Sequence, residues 1–311
     1  MIDYVDESEG QMLSETWEEH RGDKKRRVNL FRGLARLMLS LSRIPLPKIG
    51  SFTIDNDGFL HLTNRPLTSI LHELENAGTP MHITRDHTYT SVISYVNDLL
   101  TYQDNRLSHD DNAVKGLGDC SSQMCALTIM RAVAPQFYDH DLDVGPFAFC
   151  LTDLHQSNIF VDSDWNITHI IDLEWSASLP LQFVQLPYWI SGQHVDTIDV
   201  ESYNIIRKEL MDILESEGGQ EGHGRQLSAV LESNWQTGTF WFNFALRYPP
   251  TMHSLFYNRI QPQFAKDHLK NQEFYKVVPF YWCRDAKLFI RRKLKEKEEY
   301  DDRLRREFQV D

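Results

Sequence analysis

A disulfide framework, a membrane span and a surplus of positive charge are all missing from this chain of 311 residues. Its four cysteines, Cys120, Cys125, Cys150 and Cys283, form no C-x-x-C pair and no regular spacing. That excludes a zinc ribbon and a secreted disulfide scaffold, and it fits a reducing compartment. No apolar run approaches the roughly 18 residues of a span; the best candidate, Leu34 to Leu41, is broken by Arg36. The start, Met1-Ile2-Asp3-Tyr4-Val5-Asp6-Glu7, is acidic and lacks a signal peptide's basic start and apolar centre. Lys and Arg number 32 against 45 Asp and Glu, a formal charge of -13 that repels a phosphate backbone. The chain therefore reads as cytoplasmic, with no nucleic-acid and no membrane partner. What it does have is an ordinary globular balance, 41% hydrophobic with 12% aromatic residues, enough large side chains for a substantial core.

Leu30, Phe31, Leu34, Met38 and Leu41 recur at helical spacing and predict an amphipathic, buried helix from about Lys24 to Ser42, closed before Pro45 and Pro47. Two β-prone runs, Ile49 to Ile54 and Phe59 to Thr63, flank Asp55-Asn56-Asp57-Gly58 and predict a hairpin. A helix is expected from Tyr89 to Tyr102, then a polar loop from Leu107 to Asp119. Met124, Leu127, Met130 and Val133 mark a second buried helix from Ser121 to Ala134, which Pro135 closes. Beyond Ser191 the chain reads as helical pieces interrupted by a flexible Gly-rich loop, 217–224. The last segment, Asp285 to Phe308, mixes both charge signs and reads as a solvated helix face, with a partner-binding basic patch as the alternative.

The run from Phe149 to Trp175 carries the chemistry. Ile159 to Val161 and Ile167 to Ile171 are β-prone around the turn-like Ser163-Asp164-Trp165-Asn166, a short antiparallel hairpin. With the turn centred between Asp164 and Trp165, Asn158 stands opposite Ile171 and next to Asp172, with Cα atoms roughly 5 to 6 Å apart. An amide oxygen of Asn158 and the carboxylate of Asp172 can then converge on one hard cation such as Mg²⁺, with phosphate oxygens and water completing its shell. Asp153, on the loop entering the hairpin, can orient a substrate hydroxyl or accept its proton during phosphoryl transfer. His155 can either face the transferred phosphate or stabilise the loop. Glu174 and Trp175 read as a turn residue and a core ring.

Asp-x4-Asn followed by a hairpin and a second Asp matches the catalytic loop and metal-binding Asp of the protein-kinase-like fold. The chain resembles the aminoglycoside phosphotransferase family, whose catalytic loop commonly reads H-G-D-x-H-x-x-N. Leu151-Thr152-Asp153-Leu154-His155-Gln156-Ser157-Asn158 and Ile170-Ile171-Asp172-Leu173-Glu174-Trp175 carry the likeness, and Leu-Thr before Asp is similar to fungal members. The resemblance implies Asp153 as catalytic base, Asn158 and Asp172 as magnesium ligands, and ATP as phosphoryl donor to a small-molecule hydroxyl. It also implies that Ile2, Asp3 and Tyr4, placed like the family's hinge, meet adenine alongside His155 at the nucleotide. The implied fold is mainly α with small β-hairpins (α+β), the C-terminal catalytic lobe of the kinase-like fold.

That resemblance has gaps. Leu151 stands where the family usually has His. No strand-borne Lys precedes Lys24, and the G-x-G at Gly116-Leu117-Gly118 lies in a polar loop and reads as a turn. The expectation is one lobe over 1–311, with a hinge remnant at 1–8, a catalytic core at 9–190 and a helical extension at 191–311, the nucleotide-gripping lobe being absent. Such a chain is expected to bind Mg²⁺-ATP weakly or not at all, and to self-associate or meet a partner at the exposed hinge face. A catalytically silent kinase-like interaction module is the competing reading. Carboxylate-pair hydrolysis by Asp153 and Asp172 leaves Asn158 unexplained, and thirteen histidines include no H-E-x-x-H metalloprotease motif.

Overall fold

The helix from Lys24 to Ser42 forms over the residues its periodicity predicts. Asp23 caps it, its carboxylate accepting the backbone N–H of Lys25 at 2.8 Å and Arg26 at 3.3 Å. Leu30, Phe31, Leu34, Ala35, Met38 and Leu39 are buried, each full burial contributing about 1.5 to 3 kcal/mol for a large side chain. The partner is the Val200–Gly218 helix, which turns Tyr203, Leu210, Met211 and Leu214 inward. Arg27 to Glu209 at 2.9 Å and Arg36 to Glu217 at 2.7 Å tie the rims of the pair.

The computed structural model describes residues 5, 6, 8–219 and 222–308, and it is a mixed α and β architecture in which helix predominates. The chain forms two compact units, each built from several segments. The first takes residues up to 69, 85–91 and 141–236. It holds all the strands found among the described residues: β1 (Gln11–Met12), β2 (Ser51–Ile54), β3 (Leu60–Asn64), β4 (Phe147–Leu151), β5 (Ile159–Val161), β6 (Ile167–Ile170) and β7 (Ser176–Pro180). They make three antiparallel sheets, ordered β1-β5-β6, β2-β3 and β4-β7. Gly50 joins two of them, donating its N–H to Ser178 O at 3.0 Å and accepting the Ser178 N–H at 2.7 Å.

The second unit takes residues 70–84, 92–140 and those from 237 on, and its regular elements among the described residues are all helices. Its core is set by Val92–His109, with Tyr95, Val96, Leu99 and Leu100 buried, and by Leu117–Val133, with Met124, Leu127 and Met130 buried. Gln103, fully buried, donates its amide to Ala245 O at 3.2 Å and Leu246 O at 3.0 Å, satisfying the last carbonyls of the Thr239–Arg247 helix.

Several expectations shift. The helix expected from Tyr89 to Tyr102 runs from Val92 to His109, because Tyr89 is bridged to Ile49 in both directions, at 2.7 and 3.0 Å. The polar loop after it shrinks to 110–116, since helix resumes at Leu117 instead of Ser121. Gly116 and Gly118 therefore belong to a helix start and its first turn, not to a phosphate loop. The 217–224 loop is shorter than read, with helix described as far as Gly218 and again from His223. β1 carries no sequence signal of its own; two residues gain strand geometry only by pairing with Phe160 and Val161.

Candidate active site

The site grows from the β4-β7 ladder. Leu151 pairs with Ser176 at its end, and Thr152 adds one more rung, donating its N–H to Trp175 O at 3.0 Å and its hydroxyl to the same oxygen. Asp153 follows immediately, so a rigid ladder ends one residue before the carboxylate. The chain then turns through Gln156–Asn158, a single 3-10 turn capped by His155. Asp153 O accepts two donors, the N–H of His155 at 2.9 Å and the side-chain amide of Asn158 at 2.9 Å. The same amide lies 3.4 Å from the Asp153 carboxylate. Asn158 is buried and Asp153 half-buried.

The hairpin register places Asp172. Ile159 pairs with Ile170 and Phe160 with His169, and Ile171 donates its N–H to Asn158 O at 3.0 Å, so Asn158 stands opposite Ile171 as the sequence predicts. At the other end the register slips by one residue, with Val161 paired to Ile167. Trp165, at φ 64°, absorbs the slip in a turn that Asp162 organises by accepting the N–H groups of Asp164 at 3.0 Å and Asn166 at 2.9 Å. Asp172 itself sits at φ 56°, ψ 47°, a left-handed conformation that costs a non-glycine residue about 1 kcal/mol or more. Its side chain is exposed and has no partner among the described residues.

Neither a family model nor a curated protein nor a solved structure matches the chain.

Three tryptophans back the loop. Trp189 donates its indole N–H to Leu154 O at 2.9 Å and lies edge-on to the His155 ring at 6.2 Å. Trp17 packs edge-on against Trp189 at 5.4 Å and stacks on Trp165 at 5.4 Å with 10° between planes. Trp165 in turn donates to Thr16 Oγ1 at 3.1 Å. All three rings are at least 96% buried, and offset aromatic packing of this kind adds about 0.5 to 1.5 kcal/mol per pair beyond burial. Sequence reading passes over these positions because 17, 165 and 189 share no local pattern. Only the count of tryptophans near the motif hints at them.

His155 takes the loop-supporting contacts. Its Nδ1 accepts from Ser157 N at 3.5 Å and is 3.3 Å from Ser157 Oγ. Burial pushes its imidazole below the ordinary histidine range, with the Asp153 charge pulling the other way. The shift favours the neutral ring. Glu174 is exposed on the turn Leu173–Trp175, as read, and Trp175 contributes through its backbone carbonyl. Ile2, Asp3 and Tyr4, the expected hinge contacts to adenine, lie outside the described residues.

The donor set suits one kind of metal. Among the described residues no three His, Cys, Asp or Glu side chains gather as a metal cage. Asn158 Oδ1, which accepts the Ser157 hydroxyl at 3.3 Å, and the Asp172 carboxylate are hard oxygen donors, and Asp172 has no protein partner among the described residues to compete for it. Mg²⁺ is commonly held by one or two protein oxygens, with phosphates and water supplying the rest.

Proposed function

We propose that the chain carries the reaction centre of an ATP- and Mg²⁺-dependent phosphotransferase that acts on a small-molecule hydroxyl, in the manner of the kinase-like fold. The observation that carries this reading is the bond from the Asn158 amide to Asp153 O, together with the Asn158-to-Ile171 rung. Together they hold Asp153 and Asn158 in one loop and set Asp172 one residue beyond the Asn158–Ile171 rung, which supports this reading. In this reading Asp153 is the base. Its second carboxylate oxygen has no hydrogen-bond partner among the described residues, which leaves it to take an acceptor's O–H and receive the proton as the oxygen attacks phosphorus. Asn158 spends its amide on the loop, and its oxygen, which accepts the Ser157 hydroxyl at 3.3 Å, would also face the cation, while Asp172 supplies the negative charge. Magnesium, when bound, would neutralise the phosphate oxygens. Trp189 and Thr152 do positioning work, holding the loop backbone on both sides of Asp153.

The test separates the roles. In a form supplied with a nucleotide-gripping lobe, Mn²⁺ binding followed by water relaxation, and calorimetric titration with ATP and Mg²⁺, should be weakened in Asp172→Ala and nearly unchanged in Asp153→Asn. ATP consumption in the presence of hydroxyl-bearing metabolites should be lost in both. Equal loss of metal and nucleotide affinity in the two variants would reject the assignment.

A further inference from the structure

The β2-β3 hairpin carries apolar side chains that no core requires. Ile54 pairs with Leu60 and Phe52 with Leu62, and cross-strand partners share one side of a ladder. Thr53, paired with His61, falls on the other side by alternation and bonds Thr63 Oγ1 at 2.8 Å. Thr53, His61 and Thr63 are exposed, yet so are Ile54 at 72% and Leu60 at 65%. A ribbon exposed on both sides calls for no apolar side. That side continues across the first unit to the reaction centre. Gly50 pairs with Ser178, and Ser178 with Phe149. Alternation from Gly50 puts Phe52 and Ile54 on the side of Phe149 and Leu151, and the Phe52 and Phe149 rings meet at 5.8 Å. A Cβ built on Gly50 would lie 3.5 Å from Leu62 Cδ1, which sets Leu62 on the same side. Phe52, Leu62, Phe149 and Leu151 are only half-buried. Counting on from these pairs, Ile54 and Asp153 reach the same level two strands apart, about 10 Å at ordinary strand spacing.

We infer that this strip, Leu151, Phe149, Phe52, Leu62, Ile54 and Leu60, seats the apolar body of the acceptor, which makes the substrate an uncharged alcohol with an aliphatic or ring portion. The inference rests on the phosphotransferase reading, which places the acceptor's hydroxyl at Asp153. Continuity decides the occupant. The strip ends at Leu151, two residues before the base, and a protein partner would need no apolar path into that loop. Size agrees, since the distance from the base to the hairpin tip is a small molecule's length. Charge agrees as well: the six side chains include no Lys or Arg to pair an anionic acceptor and no acid to pair a cationic one. A site of this kind takes its affinity from apolar contact and its orientation from a few polar groups.

Methyl-resolved NMR of the full chain, titrated with 1-butanol, 1-hexanol and 1-octanol, tests the inference without any turnover. The methyls of Ile54, Leu60, Leu62 and Leu151 should shift together, with affinity rising roughly twofold to fourfold per added methylene, the upper value being full burial. Sorbitol should leave them unmoved. Ile54→Thr with Leu60→Thr keeps β-propensity and should weaken 1-octanol on the order of tenfold while changing 1-butanol little. If that pair disturbs the hairpin, Leu60→Thr alone carries the comparison. The role of Asp153 is read separately: 1-hexanol should bind more tightly than its methyl ether, and Asp153→Ala should erase that preference but keep the dependence on chain length. Chain-length dependence with no effect of Asp153 would uphold the strip and count against Asp153 as the base. Unmoved strip methyls, affinity independent of chain length, or unchanged 1-octanol binding in the Thr variants would overturn the inference. So would the same methyls shifting as the chain alone is concentrated into a dimer, which would give the strip to a second copy.

Discussion

Asn158 donates its side-chain amide to the backbone carbonyl of Asp153 at 2.9 Å while its own carbonyl receives Ile171 N–H at 3.0 Å. One buried residue thus fixes both the loop that carries the first carboxylate and the strand that carries the second. Asn158→Ala removes the amide and leaves Asp153 O with a single donor, so it should cost about 1 to 3 kcal/mol in urea unfolding. Amide exchange should rise most at His155 and Ile171, the neighbours whose geometry depended on it. An unchanged midpoint with unchanged exchange would show that Asn158 holds nothing in place.

Asp172 illustrates strain placed at a site. Its left-handed backbone is unfavourable for Asp and free for Gly. Asp172→Gly relieves about 1 kcal/mol of that strain and gives part of it back through the more flexible unfolded chain. The variant should be at least as stable as the parent, whereas Asp172→Ala should be less stable than Asp172→Gly. Both should lose Mn²⁺ binding. Stability and site chemistry then move in opposite directions at one position, which thermal unfolding beside metal titration can read.

Local pattern made some of this legible and could not reach the rest. The Lys24–Ser42 helix was readable because its buried positions repeat every three or four residues, and the β5-β6 pairing at Ile159 and Phe160 because β-branched and aromatic runs flank an Asp-bearing turn. The one-residue slip near Val161 was not, since it depends on Trp165 accepting a positive φ so that its ring can reach Trp17. The tryptophan support of Leu154 is a long-range contact with no periodic trace. The charged C-terminal helix misled in one place: Lys293 belongs to the run that reads as solvated, yet it is fully buried.

His253 gives the second unit a pH response. Ser122 Oγ is 2.7 Å from its Nε2, and burial pushes the imidazole below the ordinary range; the Asp119 charge opposes the shift, while Lys115 and Arg106 add to it. Above about pH 6.5, the ordinary histidine value, the ring is neutral folded or unfolded and stability does not depend on it. As pH falls below that value the unfolded chain takes up a proton that the folded chain resists. Stability should therefore decline and level off once the lowered folded pKa is passed. His253→Gln should flatten that segment of the stability curve while shifting its height. An identical slope in parent and variant would remove His253 as the cause.

The ammonium of Lys293, at 0% exposure, donates to Asp110 O at 2.8 Å and pairs with Glu296 at 2.6 Å. Asp110 lies just beyond the C-terminus of the Val92–His109 helix, where unpaired carbonyls and the helix dipole favour a cation. Arg303 adds a second tie at Asp111, 2.6 Å away. Lys293→Met keeps the aliphatic stem but strands the carbonyl and weakens the hold on a partly buried carboxylate. It should cost about 2 kcal/mol, within the range for leaving buried polar groups unpaired. Lys287, exposed and without an ion pair among the described residues, six residues earlier on the same helix, supplies the control, since Lys287→Met should stay within about 0.5 kcal/mol. Salt should barely change the difference between the two variants, because the Lys293 contacts are shielded from solvent ions. Equal midpoints for the two variants in urea would mean that the buried amine contributes no more than a surface one, and that the C-terminal helix is held by its apolar contacts alone.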